Sequence, residues 1–359
     1  MNTLHTETLY NWGGQQNKII NEMIFMRELG HNPMLFCNPN SEISKKAKSL
    51  GFNVFECEMN KKNYHKTIPT LCKFIDQNNI NLVISNGSTD SWVAAISGLF
   101  KRKNGVKFIR EKHNEFPIKG ILSRFMHRSL FDKIISVSPN TTKLLTSIGV
   151  DKNKISYIPT VVNHQALNDV TSTFKQEFKI EDDVVTVGMF SAITEHKGAF
   201  NLAKSLKLAM SHNDKIVGIF AGNVSKTTKE KIIEILGKEL ATRVIFTGFR
   251  SDIANVIKGI DIFVFASHTE GLPTAMLEAM ALSRPMIAFD KEPMNLLLED
   301  KRGICVPFLD DNELYETINL YISDKNLANQ YGKNSSEFIK QNYDYTSLKQ
   351  NLKILLESL

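Results

Sequence analysis

Two carboxylates, Glu270 and Glu278, stand in the stretch of this sequence best suited to chemistry. They lie within DIFVFASHTEGLPTAMLEAMALS, residues 261–283. Residues 262–265 form a continuous apolar run of strand length. Residues 267–271 are polar and turn-forming. Pro273 stands where a helix accepts proline, in its first turn. Residues 274–282 are rich in Ala, Met, Leu and Glu, all good helix formers. The pattern predicts a strand, a tight loop and a helix. The start of such a helix offers free backbone NH groups and the positive end of a dipole, which suits a phosphate. Glu270 falls in the loop. Glu278 falls one turn after Thr274 on the same helical face, among Leu277, Ala279 and Met280. A carboxylate in so apolar a helix is either exposed or held by a specific partner such as sugar hydroxyls.

Other reactive residue types also follow strand-like runs. Residues 11–18 (NWGGQQNK) place Gly13 and Gly14 before an amphipathic helix, where glycine lets backbone come close to a ligand. Residues 85–92 (SNGSTDSW) hold Asn86, Ser88 and Asp90; Asp90 serves equally well as a helix cap. Residues 109–114 (IREKHN) hold Arg110, which either binds an acidic ligand or pairs with a carboxylate, and His113. Residues 188–198 (GMFSAITEHKG) end on Lys197 and Gly198.

Positioning these groups falls to an alternation of short apolar runs with amphipathic stretches of helical length, the pattern of a parallel sheet with crossover helices. Strands are predicted at 34–37, 82–85, 106–110 and 133–137, with a short, weak one near 3–6. Helices are predicted at 16–29, 41–50, 64–78, 91–100, 118–130 and 140–148. A linker-like mixture of Pro, Asn and Thr spans 159–173. Strands resume at 184–190, 216–221, 244–247, 260–266, 285–289 and 303–306. The fold class is therefore α/β, with two doubly wound Rossmann-like domains facing each other across a cleft. Ligands of such sheets bind beyond the carboxyl ends of the strands.

Composition and absent motifs narrow the function. The 359 residues are 42% hydrophobic and 23% charged, which excludes a disordered chain or a disulfide scaffold. Charge is uneven: residues 1–165 hold 22 Lys/Arg against 12 Asp/Glu, and the remainder hold 22 against 26. A basic half suggests an anionic partner. The four cysteines have no zinc spacing and fit a reducing cytoplasm. No signal peptide, membrane-spanning run, dinucleotide fingerprint, P-loop, Asp-x-Asp pair or Gly-x-Ser-x-Gly elbow occurs.

The Glu-x7-Glu pair and its surroundings resemble the C-terminal signature of glycosyltransferase family 4, retaining enzymes of GT-B fold that use nucleotide sugars. The likeness extends through 244–250 (VIFTGFR), 284–289 (RPMIAF) and 302–306 (RGICV) and covers most of 184–340. It implies a donor-binding domain over 166–341 and an acceptor-binding domain over 1–165, with a C-terminal helix, about 342–359, packing back on the first. Glu278 would hold the donor ribose, Glu270 the donor sugar, and backbone NH groups of Gly271, Leu272 and Thr274 the sugar hydroxyls and diphosphate. Gly13 and Gly14 would pack near the donor phosphate. Catalytic roles would fall to Lys197, Glu270 and His113. The family's usual Arg, five residues before Lys197, is Ala192 here. Leaving-group neutralisation would then rest on Lys197, His196 or another base. Acceptor contacts would come from Gln15, Asn86, Ser88, Asp90 and Arg110.

Residues 118–130 (IKGILSRFMHRSL) carry an apolar stripe beside Lys119, Arg124 and Arg128. Such a stripe ordinarily faces a core; with the basic residues at 101–103, 107 and 112 it also suits an anionic membrane. The resemblance implies transfer of a hexose-type sugar, with UDP the favoured nucleotide, to a surface glycan acceptor such as lipopolysaccharide, capsule or a lipid-linked oligosaccharide. No metal and no nucleic acid are expected. The expected location is the cytoplasm, peripheral on the inner face of its membrane. A noncatalytic nucleotide-sugar-binding or partner subunit, and a GT-B-like sugar-nucleotide epimerase, stand as alternatives.

Overall fold

The weakest of the predicted strands lies inside a sheet. In the computed structural model, which describes residues 1–359, Asn2–Glu7 (β1) is paired on both sides. Thr3, His5, Thr6 and Glu7 are all buried, so the strand lacks an apolar run although it is interior. Neighbouring groups answer Thr6 and Glu7, whereas both ring nitrogens of His5 meet no partner. The Thr6 hydroxyl donates to Asp90 at 2.8 Å, and the Glu7 carboxylate accepts from the Leu9 NH at 2.8 Å.

From β1 the chain runs through α1 (Gly14–Glu28), β2 (Asn32–Cys37), α2 (Glu42–Ser49), β3 (Asn53–Glu56), α3 (Tyr64–Gln77), β4 (Leu82–Ser85) and α4 (Ser88–Lys101). It continues through β5 (Lys107–Lys112), α5 (Ile121–Ser129), β6 (Lys133–Ser136), α6 (Pro139–Ser147) and β7 (Ile155–Tyr157). The strand order is β3-β2-β1-β4-β5-β6-β7, with every pair parallel. The short edge strands β3 and β7 were not expected, because neither carries an apolar run. The winding direction reverses between β1 and β4. That switch point is where a doubly wound sheet opens a ligand crevice beyond its strand ends.

The chain then forms α7 (His164–Asn168), α8 (Phe174–Glu177), β8 (Val185–Phe190), α9 (Ala199–His212), β9 (Ile216–Ala221), α10 (Lys226–Leu236), β10 (Val244–Gly248) and α11 (Ile253–Lys258). After these come β11 (Ile262–Phe265), α12 (Thr274–Ala281), β12 (Met286–Phe289), α13 (Met294–Leu298), β13 (Ile304–Val306), α14 (Asp311–Ser323), α15 (Lys325–Asn342) and α16 (Tyr345–Glu357). This second sheet has the order β10-β9-β8-β11-β12-β13, again all parallel. Its switch point lies between β8 and β11.

Two compact units result: Met1–Thr160 with Thr346–Leu359, and Val161–Tyr345. In the first, Leu348, Leu352, Leu355 and Leu356 of α16 are buried, and Lys349 meets Glu28 of α1 at 2.8 Å. Each sheet is sandwiched between apolar clusters of its own unit. No helix is long and apolar enough to cross a membrane.

Helix α5 does not follow the core-facing pattern of an ordinary stripe. Ile118 and Met126 pack inward. Ile121, Leu122 and Phe125 are 87%, 73% and 53% exposed, and nearby Phe116 is 76% exposed. The flanking bases do not all join them: Lys101 pairs with Asp76, Arg102 with Asp132, and Lys112 is buried.

Candidate functional site

In the second unit the two central strands deliver their loops to one place. The loop after β8 ends in a single 3-10 turn, Glu195–Lys197, whose Thr194 hydroxyl caps the Lys197 NH. Gly198 follows with φ +78°. A Cβ on it would lie 2.0 Å from the Ala266 carbonyl oxygen, so only glycine lets the β8 loop close onto the end of β11. The closure is fastened by the His268 NH, which donates to the His196 carbonyl at 2.9 Å. The Lys197 ammonium consequently lies 2.6 Å from Glu270. Residues 73 positions apart meet because β8 and β11 are neighbours at the switch point.

The same loop leads into α12. Pro273 is its N-cap rather than a member of its first turn. The NH groups of Met276 and Leu277 return to the Pro273 carbonyl. Thr274 and Ala275 open the helix with NH groups that have no preceding carbonyl within it to meet. Gly271, Leu272 and Thr274 are half-buried. Glu278 is half-buried one turn further on; its carboxylate meets no donor, and burial pushes its pKa up to about 7. An ammonium, a helix start and an unpartnered carboxylate make a surface chemically suited to an anion and a polyol.

Ala192 is exposed and places no charge here. Lys291, beyond the end of β12, is a cation the sequence reading missed. Its ammonium donates to the His268 carbonyl at 2.9 Å and sits 4.0 Å from the Phe308 ring centroid. No motif spacing signals it; only the adjacency of β12 to β11 brings it to this loop.

The first unit holds a different arrangement. Gly13 caps α1 and Gly14 begins it. Their loop is tied down by Glu7, another residue unannounced in the sequence, which accepts from the NH of Thr8 and Leu9 and from the Gln15 and Gln16 amides. Burial and the neighbouring Asp90 push Glu7 up to about 7. Asp90 takes the capping alternative. Fully buried, it accepts from the Asn86 and Gly87 NH groups at 2.8 and 3.1 Å and from the hydroxyls of Thr6 and Thr8. It presents no free oxygen to a substrate.

His113 follows β5 as expected, but its ring turns inward. Its Nε2 lies 3.0 Å from the Asn86 amide oxygen, and its side chain is only 6% exposed. Burial holds the imidazole down to about 3, against the pull of Glu111 and with help from Lys18. The ring is therefore neutral and belongs to an interior network with Glu111, Lys18 and Glu22. Of the remaining residues, Gln15, Asn86, Ser88 and Arg110 line one cavity of about 800 Å³, joined by Lys112 and Trp92.

The family profile described as Glycosyltransferase Family 4 matches residues 12–166, and that described as Glycosyl transferases group 1 matches residues 170–338. An N,N'-diacetylbacillosaminyl-diphospho-undecaprenol alpha-1,3-N-acetylgalactosaminyltransferase of Campylobacter jejuni is 22% identical over 323 residues, covering 83% of this chain and 84% of its own. The crystal structure of HepE from Anabaena, in complex with UDP, superimposes with a TM-score of 0.87 at 17% identity and covers 100% of both chains. A glycosyltransferase structure from Rickettsia africae gives 0.88 at 19% identity, covering 99% of this chain and 97% of that one.

Proposed function

Since the chain belongs to glycosyltransferase family 4 and is a transferase of GT-B fold, we propose that it moves a sugar from a UDP-sugar, with retained anomeric configuration, to a lipid-linked glycan acceptor. The observation that carries this reading is the Lys197–Glu270 pair beside the start of α12, with Glu278 unpartnered one turn on.

Each group has a distinct task. Glu278 accepts hydrogen bonds from the ribose hydroxyls. Glu270 accepts from hydroxyls of the donor sugar while its second partner, Lys197, faces the diphosphate. As the sugar–oxygen bond breaks, negative charge grows on the leaving diphosphate. Lys197 and the NH groups of Thr274 and Ala275 are fixed before that charge appears, the arrangement that stabilises a transition state more than a ground state. Lys291 supplies the second cation in place of the missing arginine at Ala192. His113, buried and neutral, acts as a positioning residue that orients Asn86. No metal enters this scheme.

The acceptor side is the first unit, with Gln15, Asn86, Ser88 and Arg110 around its cavity. The exposed Ile121, Leu122 and Phe125 of α5, with Arg124 and Arg128 between and beside them, fit an anionic membrane on the cytoplasmic side. Relatives named for diphospho-undecaprenol acceptors support this placement. Retention is tested by proton NMR of the first product formed from an α-linked UDP-sugar. An α-linked product is expected; a β-linked product would overturn the retaining assignment.

A further inference from the structure

The cavity of the first unit contains two buried cations with no carboxylate within ion-pair distance. Arg110 is 4% exposed and Lys112 5%, and both line the cavity. The Arg110 guanidinium gives its Nη1 to the carbonyls of Ser85 and Glu111, and its buried Nε meets no acceptor. Lys112 donates only to the carbonyls of Asn114 and Phe116 and the Asn114 amide oxygen. Neither makes an ion pair. The carboxylates that act on Arg110 from further away are Asp90, Glu111 and Glu7. The oxygens of Asp90 and Glu7 are engaged by backbone NH groups, hydroxyls and amides, and Glu111 Oε1 by Lys18, while Glu111 Oε2 meets no hydrogen-bond donor and lies 3.6 Å from His113 Nε2. Glu115, which acts on Lys112, accepts from Ser138. Burial, followed by the charge of Arg110, pushes Lys112 down to about 8. Two like charges held side by side away from water are costly unless an anion joins them.

The rest of the lining says what kind of anion. Lys61 and Lys119 add charge, and the cavity is far larger than one phosphate requires. Apolar side chains line it as well, among them Trp92, Phe116 and Ile118, and Phe116 is 76% exposed, close in sequence to the exposed side chains of α5. We propose that this cavity binds the diphosphate of a polyprenyl-diphosphate-linked acceptor, with Arg110 and Lys112 on the phosphate oxygens and Phe116 against the first prenyl units. The inference rests on the lipid-linked reading above and adds to it the chemical group recognised and the residues that do so.

The test is calorimetric titration of the full chain with farnesyl diphosphate below its micellar concentration, with farnesol, and with UDP. Farnesyl diphosphate binds at least tenfold more tightly than farnesol. Inorganic diphosphate displaces it, whereas saturating UDP does not. Arg110→Gln and Lys112→Gln each weaken it about ten- to a hundredfold, the loss expected for a hydrogen bond to a charged group, with UDP affinity unchanged. Equal binding of farnesol and its diphosphate by the wild-type chain would overturn the proposal, even if both variants failed to fold. So would displacement by UDP, which would put the diphosphate in the second unit. Variants that lose binding to phosphatidylglycerol vesicles but keep farnesyl diphosphate would make this a headgroup site instead. Failure of the wild-type chain to bind UDP would strike the donor reading separately.

Discussion

On the proposed assignment of Glu278 to the donor ribose, its protonation sets a measurable pH dependence for donor binding. Burial alone raises its pKa from 4.5 to about 7 in the unliganded protein. Ribose hydroxyls donate to a carboxylate, so the ionised form is the one that binds. About a tenth of the molecules are ionised at pH 6 and about nine tenths at pH 8, so affinity should rise roughly ninefold between them and level off above. The sign for stability is the reverse. The folded state holds this proton more tightly than the unfolded chain, so its contribution is present below about pH 4.5 and is lost as pH rises through 7. At pH 8 the ionised group costs of order 3 kcal/mol. Glu278→Gln should therefore lose donor affinity about ten- to a hundredfold, show no pH slope, and gain Tm relative to wild type more at pH 8 than at pH 5. The assay is titration with UDP-glucose, whose doubly esterified diphosphate does not itself titrate in this range. A flat wild-type profile between pH 5.5 and 8.5, or an equal slope in the variant, would refute the reasoning.

Three further predictions use other parts of the structure. Lys197→Ala should lower kcat about a hundred- to a thousandfold with little change in KM, as loss of a leaving-group contact does; Lys291→Met should lower kcat about tenfold, and unchanged steady-state kinetics in both would remove them from the site. Gly198→Ala must place a Cβ 2.0 Å from the Ala266 carbonyl at φ +78°, so urea denaturation should show a loss of at least about 2 kcal/mol; an unchanged midpoint would mean the loop closes otherwise. Leu122→Glu with Phe125→Glu should reduce co-sedimentation with phosphatidylglycerol vesicles at least tenfold, since each apolar side chain is worth about 1.5–3 kcal/mol when buried. Wild-type binding that is absent, or indifferent to these changes, would end the membrane assignment.

The strand–loop–helix around Glu270 and Glu278 was legible because its apolar run, Gly-Leu-Pro turn and helix formers all agree locally. What stayed hidden depends on neighbours far along the chain. β1 reads as weak because its buried Thr6 and Glu7 take their partners from α4, α1 and the loop between. β3 and β7 are edge strands of four and three residues, too short for periodicity to register. Lys291 reaches the site only through the β11–β12 pairing, and the inward turn of His113 follows from Asn86, which β4 places beside it. Asp90 could be narrowed to two roles by sequence but not to one, because its decisive partner Thr6 lies 84 residues away.

We propose that the Lys197–Glu270–Glu278 site performs transfer rather than binding alone. The most direct measurement is UDP release from a panel of UDP-sugars, with and without a prenyl-diphosphate-linked saccharide, for the wild-type chain and Lys197→Ala. Acceptor-dependent release by the wild type, reduced at least a hundredfold in the variant, is the predicted result. UDP-sugar binding with no release in the presence of any such acceptor, or equal release by both proteins, would contradict it.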